Sequence, residues 1–349
     1  MEFTSYADWS ELPESANALF VSAGRESIFF SKPWFENLVK NGLSEGDRIL
    51  LACVLEGEDV LALLPLSRRD SGNYQSLRHL YTSLSTLLID EDRQEEILAC
   101  LADGLKQLPA HSLQLDPIAE DDVNLDNLQL ALESSGYSCH RFFHFHNWFH
   151  RTEGESYSDY MAARPSRVRN TIARKKRKLE REHGYHIRLF TGDNLQQGLA
   201  DYTAVYTASW KANEVFEKFI TGLAEHLSMA GWLRLAILYI EDRPAAAQFW
   251  FVVDGKASIF KLAYDEAWKQ YSPGSILIAY LMEHVIDTDQ VEEIDFLTGN
   301  DAYKQDWMSE RRQRWRMSCI DNSPSGSRDT NLLSAIWGVL KRLKENVYN

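Results

Sequence analysis

Three apolar segments follow one another between Leu233 and Tyr264 with almost no chain between them, and that spacing leaves few folds open. Residues 233–240 (LRLAILYI) end in Glu241-Asp242-Arg243-Pro244, residues 245–253 (AAAQFWFVV) end in Asp254-Gly255, and residues 258–264 (SIFKLAY) end in Asp265. Strands joined this tightly pair antiparallel, and Asp-Gly between apolar runs is the strongest short hairpin signal. A polar stretch then leads to Ser272-Pro273-Gly274-Ser275. Ser272 as N-cap and Pro273 in the first turn predict a helix start, and Ile276, Leu277, Tyr280, Leu281, His284 and Val285 recur at helical spacing. A helix opening just past a strand edge offers the N–H groups of Gly274 and Ser275 to a phosphate or pyrophosphate; an ordinary capped helix has the same local sequence. Residues 291–297 (VEEIDFL) predict a further strand and residues 300–308 a short helix.

The order strand, strand, strand, helix, strand, helix resembles the core of the GNAT acyltransferase fold. The landmarks Tyr264-Asp265, Ser272-Pro273-Gly274, Asp295-Phe296 and Tyr303-Lys304-x-x-Trp307, in this order, are similar to the CelD-like branch of that superfamily, which is related to the FemAB aminoacyltransferases. The resemblance covers residues 157–320 well and residues 1–150 weakly. It implies that Gln270, Ser272, Gly274 and Ser275 hold the pyrophosphate of acyl-CoA, with Pro273 standing where the family has its first glycine and removing one N–H donor. Lys304 is expected to meet the donor's phosphates or Asp301. Tyr303 matches the tyrosine that protonates the leaving thiolate, and reads otherwise as a packing residue. Asp265, at the end of the third strand, is the candidate base, with Asp295 as a second. Trp210, Phe216 and Tyr264 are expected to face substrate, although such aromatics are more often core.

At 349 residues the chain exceeds the usual size of one core, so two domains are expected. The fold class is α/β with a mixed sheet: two GNAT-like units in tandem, the first (1–150) degenerate and the second (151–321) regular, followed by a linker and an amphipathic helix (322–349). In the first unit, residues 28–34 resemble a strand running into a capped helix, residues 48–55 and 60–66 a hairpin, 72–75 a turn, 77–89 one or two strands, and 91–108 and 124–133 helices. No phosphate loop occurs there, so it reads as a scaffold and cleft wall. In the second unit, helices are expected over 156–163, 167–183, 195–210 and 216–229, and strands over 186–190 and 314–320. A helix over 331–347 is expected to dock on the protein.

The net charge of −14 is uneven: residues 1–150 hold 10 Lys+Arg against 24 Asp+Glu, and the remainder 27 of each. An acidic chain is no general nucleic-acid binder, so DNA is not a partner. The helix over 167–183 nevertheless carries Arg167, Arg169, Arg174, Lys175, Lys176, Arg177, Lys178 and Arg181, which suits a phosphate-bearing ligand. That keeps an aminoacyl-tRNA donor as the second reading, while the chain's overall acidity counts against it. Cys53, Cys100, Cys139 and Cys319 are scattered, without a CxxC pair, and read as reduced thiols of a cytoplasmic protein. No apolar run reaches the ~18 residues of a membrane span. On a strand, His140, His144, His146 and His150 would share a face, an arrangement that can bind zinc; no third ligand type is placed beside them, and no metal is expected. The leading function is transfer of an acyl group from acyl-CoA to a small-molecule amine, an amino sugar or an envelope or polysaccharide precursor. A non-catalytic binding protein of a polysaccharide system is the alternative outside enzymes. The sequence leaves acyl length and oligomeric state open.

Overall fold

The computed structural model describes residues 1–322 apart from 69–71, 91, 110, 193 and 212–213; the helix expected over 331–347 lies outside the described residues. The first half runs β1 (Glu2–Tyr6), α1 (Asn17–Glu26), α2 (Lys32–Asn41), β2 (Arg48–Glu56), β3 (Asp59–Arg68), β4 (Asn73–Ser76), β5 (Leu88–Ile89), α3 (Gln94–Gln107), β6 (Ser112–Ala119), α4 (Val123–Ser134) and β7 (Tyr137–Arg151). The second continues with α5 (Tyr157–Ala163), α6 (Ser166–Glu182), β8 (His186–Phe190), α7 (Leu195–Thr207), α8 (Glu217–Met229), β9 (Leu233–Ile240), β10 (Arg243–Val253), β11 (Lys256–Tyr264), α9 (Pro273–Glu283), β12 (Glu293–Thr298), α10 (Lys304–Trp307) and β13 (Glu310–Asp321).

All described strands belong to one mixed sheet, in the order β1-β2-β3-β4-β6-β13-β7-β12-β11-β10-β9-β8, with β5 beside β3. The two halves exchange their last strands. β13 pairs with β6 of the first half, Arg314 opposite Ala119, and β7 pairs with β12 of the second, Arg151 opposite Glu293. β7 and β13 themselves pair from Tyr137/Asp321 to Phe149/Glu310, so the passage from one half to the other along the chain is no break in the sheet.

Helices cover both faces. Apolar side chains of α1, α2, α7 and α8 meet β2 and β9–β11 in a core that spans both halves, with Trp34 of α2 edge-on to Phe219 of α8 at 5.4 Å. Asn37 Nδ2 donates to the Phe219 carbonyl at 3.0 Å, so the helix pair is also pinned by a buried hydrogen bond. On the other face α9 lays Ile276, Leu277 and Leu281 against Trp250 and Ile294, and α6 adds Ile172 and Leu179. A third cluster sits under α3 and α4.

Several expectations change. Residues 28–30 form a 3-10 turn and not a strand: Ile28, Phe29 and Phe30 are all buried, without the alternation a half-buried strand needs. Residues 72–75 are mostly strand β4 and not a turn, because they pair in parallel with β6. Most of 77–87 is irregular, and helix 300–308 shrinks to the single turn of α10. Cys139 and Cys319, expected as free thiols, face each other across β7 and β13 and form a disulfide. Their partnership comes from register between strands far apart in sequence, which spacing alone does not reveal.

Candidate active site

β11 and β12 run parallel but pair only from Lys256–Glu293 to Ser258–Asp295. Beyond that point both strands turn away. On β11 the register with β10 slips at Phe249/Trp250, leaving Phe260 as an extra residue that bends the strand. On β12, Leu297 adopts φ +54°, its N–H bonded to Asp295 Oδ1 at 2.5 Å, and the register with β7 slips between Asp295 and Thr298. A wedge-shaped split therefore opens in the middle of the sheet.

Two cavities flank it and share Leu262 and Tyr303. The larger, about 400 Å³, lies against α6 and α9 and is lined by Arg167, Ile172, Trp210, Tyr264, Gly274, Ser275 and Trp307, among others. Its end is the start of α9. Ser272 stands there at the N-cap, as expected, but in the left-handed region at φ +53° and with no side-chain hydrogen bond to the helix. The turn aims the Ser272 carbonyl into the helix, where it accepts the N–H groups of Ser275 and Ile276 at 3.1 and 3.2 Å. The Ser275 amide is therefore engaged and not free, as is that of Ile276. Gly274 N–H meets no carbonyl among the described residues, so it is the amide left to a ligand. Gln248 Nε2 donates to the Gly274 carbonyl at 3.0 Å and is itself held by Trp250, which ties the helix start to β10. A Cβ on residue 274 would stand 3.2 Å from the Tyr264 ring, so the glycine lets Tyr264 lie over the helix end.

The smaller cavity, about 180 Å³, lies on the other side and is lined by Tyr81, Ser83, Lys211, Phe260, Thr298, Asp301 and Lys304, among others. Behind it sits a buried polar cluster. Glu214 accepts from Lys261 Nζ at 2.6 Å and from the Tyr81 hydroxyl at 2.5 Å, and Lys261 lies 3.6 Å over the Tyr81 ring. Burial would raise the Glu214 carboxyl, but the hydrogen bonds from Lys261 and Tyr81 outweigh it and leave it below its usual range. Burial, helped by the Lys261 charge, brings Lys211 down to about 8 and His79 to about 4. Burial and the nearby Asp301 raise the Tyr303 phenol, so it stays protonated at neutral pH.

Tyr303, Trp210, Tyr264, Gly274 and Ser275 thus converge on the larger cavity. The other expected residues lie elsewhere. Lys304 is buried with its ammonium on the carbonyls of Phe296 and Thr298 at 3.1 and 2.5 Å and beside Asp301 at 3.6 Å, so it closes the end of β12 and is not turned to α9. Asp265 caps the following 3-10 turn through the Ala267 N–H at 2.9 Å. Asp295 is buried and bonded to Arg312 Nη2 at 2.6 Å; burial would raise its pKa, but Arg312 and Arg314 hold it low, so it has no proton-accepting role at neutral pH. Gln270 is exposed, with its carbonyl taken by Lys175, and Phe216 packs on His79 at 4.3 Å. Sequence reasoning missed Glu214, Lys261, Tyr81 and His79. One signal was present: Lys261 interrupts an otherwise apolar strand, and a charge there needs a buried partner.

Along α6, Arg167 pairs with Asp306. Arg169, Arg174 and Lys176 enter no ion pair among the described residues. His150 bonds Ser309 and Glu155, and among the described residues no three His, Cys, Asp or Glu side chains gather as metal ligands. No described helix is long and apolar enough to cross a membrane.

Residues 166–305 match the model of the acetyltransferase (GNAT) domain family. No curated protein matches the sequence. Among solved structures, the chain is similar to FemX (10% identity, TM-score 0.63, covering 93% of this chain and 98% of that one). It is also similar to the C-terminal domain of a putative lysylphosphatidylglycerol synthetase from Agrobacterium fabrum (11%, TM-score 0.54, 89% and 94%). A third is a tandem GNAT protein from the clavulanic acid biosynthesis pathway (12%, TM-score 0.51, 92% and 99%). At these identities the likeness is one of fold: a tandem GNAT arrangement whose second unit carries the acetyltransferase domain.

Proposed function

We propose that the GNAT domain at residues 166–305 transfers an acyl group from acyl-CoA to an amine. The observation that carries this reading is the split between β11 and β12, with the Gly274 amide at the end of one flanking cavity and Lys211 in the other. The diphosphate lies at the start of α9, where the free Gly274 N–H and the helix dipole favour negative charge. The pantetheine arm follows β11, and the thioester enters the split beside Leu262 and Tyr303.

The acceptor arrives from the Lys211 side. Its neutral nitrogen attacks the thioester carbon, forming the C–N bond while the C–S bond breaks. Lys211, lowered to about 8 by burial and Lys261, accepts the amine proton. Tyr303, still protonated, donates its proton to the departing CoA thiolate. Solvent then returns Lys211 and Tyr303 to their starting states, and the products are an amide and free CoA. Trp210, 4.5 Å from Tyr264, and Tyr264 itself line the donor's path.

A second reading keeps the fold and takes an aminoacyl-tRNA as donor, as the FemAB resemblance implies. The observation in its favour is the basic face of α6, whose Arg169, Arg174 and Lys176 have no acidic partners among the described residues. Isothermal titration with acetyl-CoA, free CoA and an aminoacyl-tRNA separates the two. CoA binding without tRNA binding supports the first; the reverse pattern, weakening steeply with salt, replaces it with the second.

A further inference from the structure

A cavity of about 380 Å³ shares Ser83 and Leu297 with the smaller cleft and opens where the two halves exchange strands. Its floor is polar. Asn147 of β7 donates from Nδ2 to Asp295 Oδ1 at 2.5 Å and to the Leu297 carbonyl at 2.9 Å. Its Oδ1 accepts from Arg312 Nε at 2.6 Å and from Arg314 Nη2 at 3.3 Å. Arg312 makes a bond from every nitrogen: the remaining two reach Glu293 at 3.1 and 2.8 Å and Asp295 at 2.6 Å.

Arg314 differs. It is only 5% exposed, yet the bond to Asn147 is its single hydrogen bond among the described residues, and no described carboxylate stands within 4.0 Å. A guanidinium carries five N–H donors, so most of its fork faces the cavity without an acceptor. Burial, with the neighbouring Arg312, brings it down to about 10, which still leaves it charged at neutral pH. Asp295, Glu293 and Asp121 act on it only from beyond contact distance, so its remaining N–H groups are held where a ligand could supply the contact.

The lining also limits what that ligand is. Asp295 is matched by Arg312, and Arg151 by Glu310 at 2.8 Å. The lining carries Arg151, Lys256, Arg312 and Arg314 against Glu26, Glu120, Asp121 and Asp295, so its charges balance, with Glu120 and Asp121 exposed. A single guanidinium fork fits a planar monoanion in two parallel hydrogen bonds. A phosphate dianion would bring excess negative charge next to Asp295, Glu120 and Asp121, whereas an ammonium group is welcome beside the two exposed carboxylates.

We propose that the acceptor is an amino acid or short peptide whose carboxylate binds Arg314 in this cavity, while its amine reaches the β11–β12 split past Ser83 and Leu297. The proposal rests on the acyl-transfer reading for the position of the reacting amine, but its anion site stands on Arg314 alone. The test is calorimetric and thermal-shift titration of the full chain with L-amino acids and di- and tripeptides, each against its C-terminal carboxamide, with inorganic phosphate as a further probe. At least one carboxylate should bind, its carboxamide at least tenfold more weakly. Arg314→Met should lose at least tenfold in carboxylate affinity, with circular dichroism as the check that it folds. If Arg314→Met does not fold, Arg314→Lys serves: it keeps the charge, loses the fork and should still bind several-fold more weakly. Equal binding of carboxamides, full affinity in the variants, no response to any carboxylate, or an Arg314-dependent response to phosphate alone would each overturn the proposal. Acetyl-CoA is titrated in parallel: if it fails while the carboxylate responds, the donor assignment falls and the Arg314 site stands.

Discussion

Replacing Gly274 by Asp separates the fold from the donor site. Gly274 is the second residue of α9, after Pro273. An acidic side chain in a first helical turn interacts favourably with the dipole, by about 0.3–1 kcal/mol, and replacing a glycine inside a helix adds a few tenths more. Against this, the new Cβ would stand 3.2 Å from Tyr264 Cδ1, so the half-exposed ring must shift by a few tenths of an ångström. The protein should stay folded, with little change in Tm. The ligand sees a different site. A carboxylate about 5 Å from one diphosphate charge, at an effective dielectric constant of about 20, costs about 3 kcal/mol. That is a loss of more than 100-fold in affinity. The assay is titration calorimetry with acetyl-CoA on wild type, Gly274→Asp and Gly274→Ala, with circular dichroism as the folding control. The Ala variant isolates the contact with Tyr264 and should stay within a few-fold of wild type. A folded Gly274→Asp protein that binds acetyl-CoA within threefold of wild type would refute the claim that the start of α9 holds the diphosphate.

Three further outcomes follow from the site. Lys211 accepts protons only when neutral, so kcat/KM, corrected for the fraction of acceptor amine that is neutral, should rise about tenfold per pH unit below about 8 and level off above it; Lys211→Met should abolish that corrected limb, and a retained one would acquit Lys211. Tyr303→Phe should lower kcat by roughly 10²–10⁴ while leaving acetyl-CoA affinity unchanged, and an unaffected kcat would return Tyr303 to a packing role. Glu214→Gln leaves the Lys261 ammonium buried without its carboxylate. The pair's side chains are only 7–8% exposed, so the loss should be about 3–5 kcal/mol at pH 7 in urea unfolding. Burial already lowers Lys261, and losing Glu214 lowers it further. The deficit should therefore shrink as rising pH lets Lys261 become neutral, and a pH-independent deficit would contradict this.

The meander of β9, β10 and β11 and the helix after Ser272-Pro273-Gly274 were legible in the sequence because their determinants are local. Asp254-Gly255 turns the chain, alternating and continuous apolar runs set the strands, and Pro273 favours a helix start at that point. The grouping of Tyr303, Trp210, Tyr264 and Gly274 was implied by the GNAT resemblance and not by spacing or periodicity. What the sequence could not carry is everything decided between distant strands. The αL turn at Ser272 gives the Ser275 amide to the Ser272 carbonyl and not to a ligand. The end of β12 captures Lys304 with backbone carbonyls, and Asp295 is neutralised by Arg312 from a strand that the halves exchange. Residues 81, 211, 214 and 261 meet only because the sheet folds them together, and Arg314 touches no carboxylate because Arg312 has taken the contacts with Glu293 and Asp295. Secondary structure follows from short-range sterics and periodicity; charges, amides and cavities acquire their chemistry from neighbours that only the assembled sheet supplies.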